Sequence, residues 1–220
     1  MPATIPLSDL ALGAYCPRKL YYARRTERSP PEEYETALAL SRRYGAFLAG
    51  EATPPADELA LDPAPYCNRL AATRASTPRW ADLRDPDRTA VFLSGKDVHG
   101  RAAKVLADPP EPAIVSPGAP PPDGVWQPQA VRAVGAAKAL SWEESTPVER
   151  AFVEYPRHGV IRPVPLTTRR TAAYRRTLRV VQSLDGPPPR VSGDAKCETC
   201  RFADRCGTRS RSLASLLSRS

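Results

Sequence analysis

Tyr15-Cys16-Pro17-Arg18-Lys19-Leu20-Tyr21-Tyr22 near the start of the chain and Cys197-Glu198-Thr199-Cys200-Arg201-Phe202-Ala203-Asp204-Arg205-Cys206 near its end carry four of the five cysteines. The second stretch is Cys-x2-Cys-x5-Cys, three thiols within ten residues. Thiolates so close repel one another unless a cation gathers them, and soft metals take sulfur. Disulfides need an oxidising compartment, and nothing in the sequence points to secretion. A metal or cluster is therefore the expected partner. Zinc would take a fourth Cys or a His. His99 and His158 fall in expected hairpin turns with no spacing relation to the group, which leaves Cys16 or Cys67 for the fourth position. Cys67 has no motif around it and reads as an ordinary buried thiol.

Outward from these ends, Ser8 is expected to cap a helix over Asp9–Tyr15, and Pro17 fits the first position of a new one. A third helix is predicted over Glu32–Glu51. Asp57 to Pro86 reads as irregular. Thr89–Ser94, Arg101–Leu106 and Pro112–Ser116 read as strands, and Gln127–Leu140 as a helix with Ala130, Val131, Val134 and Ala137 at helical spacing. Val148–Tyr155 and Gly159–Leu166 read as a strand pair, followed by a helix from Thr167 through Leu184. This order predicts an α/β layer with a mixed central sheet flanked by helices. The expected organisation is a main domain over 1–190, a cysteine module over 191–208 and a basic tail over 209–220.

Of 220 residues 26 are Pro and 12 are Gly, which suits a folded chain with stiff loops and not a disordered one. No apolar run approaches the ~18–20 residues that span a bilayer, and Met1–Leu12 lacks the pattern of a signal peptide. A cytoplasmic protein with no membrane partner is expected. Net charge is +8, with 32 Lys and Arg against 24 Asp and Glu, and 27 of the cations are Arg. Codon bias accounts for much of the Arg preference, but a basic balance suits a polyanionic partner.

The paired end motifs resemble the CRISPR-associated iron–sulfur exonucleases of the RecB-like PD-(D/E)XK superfamily. The resemblance implies a RecB-like nuclease core and a [4Fe–4S] cluster on Cys16, Cys197, Cys200 and Cys206 that clamps the chain ends together. It also implies DNA, single-stranded or at overhang ends, as a partner, and CRISPR adaptation proteins as further partners. The family's catalytic pattern is broken here. Gly45-Ala46-Phe47-Leu48-Ala49 lacks the expected His. Ala103 stands where an Asp belongs, Val115 and Pro117 replace the Asp/Glu-x-Lys pair, and Gln129 is retained but Ala133 stands in place of Tyr. An Ala and a Val cannot bind a hard cation, so the active site reads as eroded. Asp97 and Asp108 are fallback catalytic candidates, with Mg²⁺ or Mn²⁺ required only if they serve. Glu111 and Asp194-Ala195-Lys196 are weaker rivals.

From Pro156 to Leu184 there is no acid but seven arginines. Arg169, Arg170, Arg175, Arg176 and Arg179 lie on the expected last helix, and Arg18 and Lys19 beside Cys16 extend the basic set. Such a stripe makes sequence-independent phosphate contacts. Trp126, Trp142 and Tyr174 are expected in the core. The leading expectation is thus a DNA-end-handling iron–sulfur protein of spacer acquisition with weakened or lost nuclease chemistry. The alternatives are an active Mg²⁺/Mn²⁺-dependent single-stranded DNA exonuclease and a metal-stabilised protein-interaction module.

Overall fold

The computed structural model describes residues 4–29, 31–190 and 195–207. Strand β1 (Ile5–Pro6) leads directly into α1 (Leu7–Tyr15), and α2 (Pro17–Ala23) follows. Pro6, and not Ser8, precedes the first helical residue, and Ser8 sits exposed in the first turn. Cys16 holds an extended conformation between the two helices (φ −161°, ψ 107°), as a residue before proline must.

The expected third helix is two: α3 (Glu32–Ser41) and α4 (Tyr44–Ala49). Arg43 leaves helical geometry (φ −109°, ψ 5°). Ser41 Oγ donates to the Leu38 carbonyl at 2.8 Å, a back-bond that bends helices. The break swings Tyr44 into the core, stacked on Trp80. The region read as irregular contains α5 (Pro63–Ser76) and α6 (Trp80–Arg84). Its prolines hid the pattern: Tyr66, Leu70 and Thr73 are buried at helical spacing, and Pro63 occupies the first turn, where its missing N–H costs nothing.

Next come β2 (Arg88–Ser94), β3 (Val98–Leu106), β4 (Glu111–Val115), α7 (Gln127–Glu143), β5 (Arg150–Tyr155), β6 (Val160–Pro165) and α8 (Thr168–Gln182), all close to their predicted bounds. Thr167 caps α8 as expected, accepting from the Arg170 N–H. Short α9 (Ala195–Glu198) and α10 (Ala203–Cys206) carry the cysteine module. The segment expected as a basic tail lies outside the described residues, as do Asp194 and the start of the cysteine module.

The fold is α/β with a mixed sheet. β4 and β5 run parallel, joined through α7; β2–β3, β3–β4 and β5–β6 are antiparallel. Adjacent residues alternate between faces. Ile114 and Val153 meet α1, α7 and α8 in one core, while Ala113 and Phe152 meet α4 and α5 in the other. Gly135 on α7 lets α1 lie close: a Cβ there would sit 2.8 Å from Leu7 and 2.9 Å from Leu10.

β3 is where the sheet forks. β2 runs along one edge of it. On the other edge β1 pairs only with Val98 and His99, and β4 only with Lys104 to Leu106. Gly100–Ala103 therefore has no strand partner on that edge among the described residues. Among the described residues, no helix is long and apolar enough to cross a membrane.

Candidate functional site

The two ends of the chain meet. Cys16, Cys197, Cys200 and Cys206 line one small cavity together with Tyr15, Lys19 and Phe202. Local geometry explains the spacing. Cys197 closes a helical turn by accepting the Cys200 N–H at 3.1 Å, and Cys200 accepts from Ala203 at 3.0 Å. Cys206 ends α10 where Gly207, at φ 66°, stops the helix. The aromatic residues of the first motif hold the second: Tyr22 packs its ring on Phe202 and donates its hydroxyl to the Arg205 carbonyl at 3.1 Å. Lys196 reaches the Tyr15 carbonyl at 3.4 Å. All five cysteines are free thiols. Cys67 lies on α5, packed against the far core, and takes no part.

Four thiols on one cavity are a donor set that fits an iron–sulfur cluster. Cys16 Sγ already accepts the Lys19 N–H at 3.4 Å, the type of bond that tunes such sulfurs. Among the described residues, no three Cys, His, Asp or Glu side chains stand close enough together to hold a metal ion, and the cavity between the four thiols measures about 20 Å³.

The place where the resemblance puts catalytic acids is apolar. Ala103 and Val115 pack with Ala37 in a small buried cluster flanked by Tyr34 and Leu38. Beside it, Lys104 on β3 donates to Glu154 on β5 and to the Ser41 carbonyl, both at 2.9 Å. This pair was not anticipated from sequence, because its partners are 50 residues apart. Lys104 is 2% exposed and Glu154 0%, so neither can reach a phosphate. Burial pushes the Glu154 carboxyl up, and Lys104 pulls it partway back. Glu111 is likewise structural, clasped by Arg150 at 2.8 and 3.1 Å and by Arg79 at 3.2 Å.

The fallback aspartates do not form one site. Asp97 lies just before β3 and Asp108 just beyond its end, and nine strand residues at ~3.4 Å each separate them by about 30 Å. His99 is within β3, not in a turn, and pairs with Thr4 Oγ1 at 2.8 Å. His158 is in the expected turn.

The arginines of α8 do not form a single stripe. Arg169, Arg170 and Arg176 border a groove against the start of α7, while Arg175 faces a second groove with Lys96 and Lys138. Arg179 is exposed and lines neither. Arg170 is partly used on the Pro165 carbonyl, and Arg18 is tied to the Pro188 carbonyl at 2.8 Å. Two aromatic side chains expected in the core stand outside it: Trp126 is 50% and Trp142 59% exposed. Tyr174 is buried as expected.

A cleft of about 700 Å³ opens over the fork in β3. Arg28, Arg42, Arg101 and Arg132 line it, and among the described residues Glu35 is the only acid to do so. These arginines come from four separate segments, so no sequence window could reveal them. The chain matches no protein-family model and no curated protein.

Proposed function

We propose that the chain is a RecB-like iron–sulfur protein of CRISPR adaptation that binds DNA ends and has lost, or nearly lost, nuclease chemistry. The observation that carries this reading is the convergence of Cys16 with Cys197, Cys200 and Cys206 on one cavity. The four thiols would hold the cluster, which supplies a rigid clamp between the chain termini. Tyr15 and Tyr22 orient the segment that brings three of the thiols. Lys19 donates its backbone N–H to the fourth.

Loss of hydrolysis follows from the cleft. A metal-assisted nuclease needs carboxylates to hold a cation that activates water and neutralises developing charge. Ala103 and Val115 supply no oxygen from their side chains, and the lining arginines repel a divalent ion. What remains is a surface for phosphates, to which the exposed arginines of α8 also contribute.

The test is anaerobic purification followed by visible spectroscopy and iron analysis. A brown, oxygen-sensitive protein with about four irons per chain is expected, as for a Cys₄-held cubane. Stoichiometric zinc without iron would sink the cluster assignment. Salt-dependent DNA binding by the loaded protein separates this reading from a metal-stabilised interaction module.

A further inference from the structure

Where the turn before β3 meets the end of α7 and the middle of α8, the surface is hollowed by a cavity of about 310 Å³. Gly95 lets the turn lie against α7, since a Cβ there would sit 2.6 Å from the Ala139 Cα. Val98, Ala139, Tyr174 and Leu178, all buried, form an apolar floor. Lys96, Lys138, Arg175 and Trp142 stand around it.

We infer that this hollow docks an acidic segment of a partner protein, seating one apolar side chain of that segment against Trp142. The inference goes beyond the DNA-binding reading and does not depend on it. Three observations carry it. First, the rim is cationic and unpaired. Lys96, Lys138 and Arg175 are exposed and have no ion-pair partner among the described residues. Asp97 is the only acid among the described residues to line the hollow. Carboxylates spaced along a peptide complement such a rim. The chain's own tail does not, since residues 209–220 carry three arginines and no acid. Second, Trp142 is 59% exposed, the most exposed large apolar side chain among the described residues. It follows Lys138 by four residues, on the same face of α7, so indole and ammonium border one hollow. Trp and Arg at the edge of a pocket match the composition of an interface hot spot, in which the aromatic anchor is covered by the partner and charges form the rim. Third, the apolar floor favours a peptide over a polynucleotide. A phosphate backbone would meet the three cations and leave Trp142 and the floor uncovered. A Leu or Phe flanked by carboxylates meets both.

The experiment measures anisotropy of a fluorescein-labelled peptide, Gly-Asp-Glu-Asp-Leu-Phe-Glu-Asp-Glu-Gly, against anaerobically purified full-length protein over a salt series. Saturable binding that weakens with salt is expected. Trp142→Ala should weaken it roughly 30-fold, the threshold for a hot spot, with an unchanged urea midpoint. A second peptide with Gly-Ser in place of Leu-Phe should bind wild type correspondingly weakly and should not distinguish it from Trp142→Ala. Lys96→Ala/Lys138→Ala should reduce the salt dependence. Arg74→Ala, an exposed cation on α5, should match wild type. No binding of the first peptide, or equal binding of the two peptides, overturns the inference. Displacement of the first peptide by oligo-dT, together with indifference to Trp142→Ala, reassigns the hollow to nucleic acid. A wild type that sediments as a dimer and a Trp142→Ala variant that sediments as a monomer reassign it to a second copy of the chain. Each of these results leaves the iron content, and with it the cluster reading, untouched.

Discussion

Replacing Lys104 with Met leaves a carboxylate alone in the core. Glu154 is fully buried, its Oε2 lies 2.9 Å from Lys104 Nζ, and the buried Tyr44 hydroxyl is its one other polar neighbour among the described residues. Removing one partner of such a pair costs about 3–5 kcal/mol, because the survivor keeps its desolvation penalty and loses its compensation. With a urea m-value near the upper end of about 1–3 kcal/mol/M, the midpoint should fall by about 1–2 M at unchanged m. The loss should depend on pH. Burial already raises the Glu154 pKa above 4.5, and Lys104 is the main group opposing that shift. Without Lys104 it rises further. Between the unfolded value and this raised folded value, the folded state holds more protons than the unfolded one. Stability then falls as pH rises through the window, so the deficit should be greatest at neutral pH and shrink toward about pH 5. Lys104→Met/Glu154→Leu should recover most of the loss, since an apolar replacement of both partners is near neutral. Urea titrations at pH 5 and pH 7, on samples matched for iron content, decide it. A deficit below about 1 kcal/mol, a deficit indifferent to pH, or a double variant as unstable as the single would refute the reasoning.

Cys16→Ser should remove most of the bound iron, whereas Cys67→Ser should leave iron content unchanged, as read by iron analysis of anaerobic preparations. Little or no cleavage of single-stranded or duplex DNA with Mg²⁺ or Mn²⁺ is expected at full iron content. Ala103→Asp should not restore it, because one carboxylate makes a weak site and Pro117 still stands in place of the lysine. An Asp97→Ala/Asp108→Ala variant that abolished a robust wild-type activity would reassign the site. Chelation should expose the chain after Pro188 to protease while the strands and α7 stay protected.

Much of the framework could be read from sequence because local periodicity matched the final burial. Ala130, Val131, Val134 and Ala137 read as one apolar stripe, and α7 does bury Val131, Val134 and Ala137 against the sheet. Spacing grouped Cys197, Cys200 and Cys206, and the resemblance added Cys16; the fold brings all four to one cavity. What escaped was set by the fold as a whole. α5 was masked by prolines that its first turn tolerates. The bend at Arg43 depends on Tyr44 finding Trp80 and Lys104, neither of which is near in sequence. The cleft needs Arg28, Arg42, Arg101 and Arg132, which only the forked sheet and the packing of the helices around it bring to one surface. The aromatic side chains were misplaced for a related reason: composition says that Trp is usually covered, but Trp126 precedes the first turn of α7, where the helix begins at the rim of the sheet.

The unequal support of the two cysteine groups bears on what a cluster would do for this chain. Cys16 sits between α1 and α2, whose Leu7, Leu10 and Leu20 are buried in the main core. Its position is set without help. Of the other three thiols, Cys197 is on α9, which buries nothing, and Cys206 ends α10, which buries only Ala203; Cys200 lies between the two short helices, as does Phe202. Four-residue helices are far too short to be stable alone, and one Phe with one Ala is little apolar area to hold them in place. Tyr22, Lys196 and Arg18 add single hydrogen bonds, each worth on the order of 1 kcal/mol. A bound metal group would therefore contribute most of its binding energy to ordering the C-terminal segment, as it does wherever a preformed site is absent from the unfolded state. Lys196 and Lys19 lie at that junction and line the groove beside it, so ordering this segment also completes the wall of that groove. On the proposed reading, the cysteines would shape a phosphate-binding surface without touching the nucleic acid.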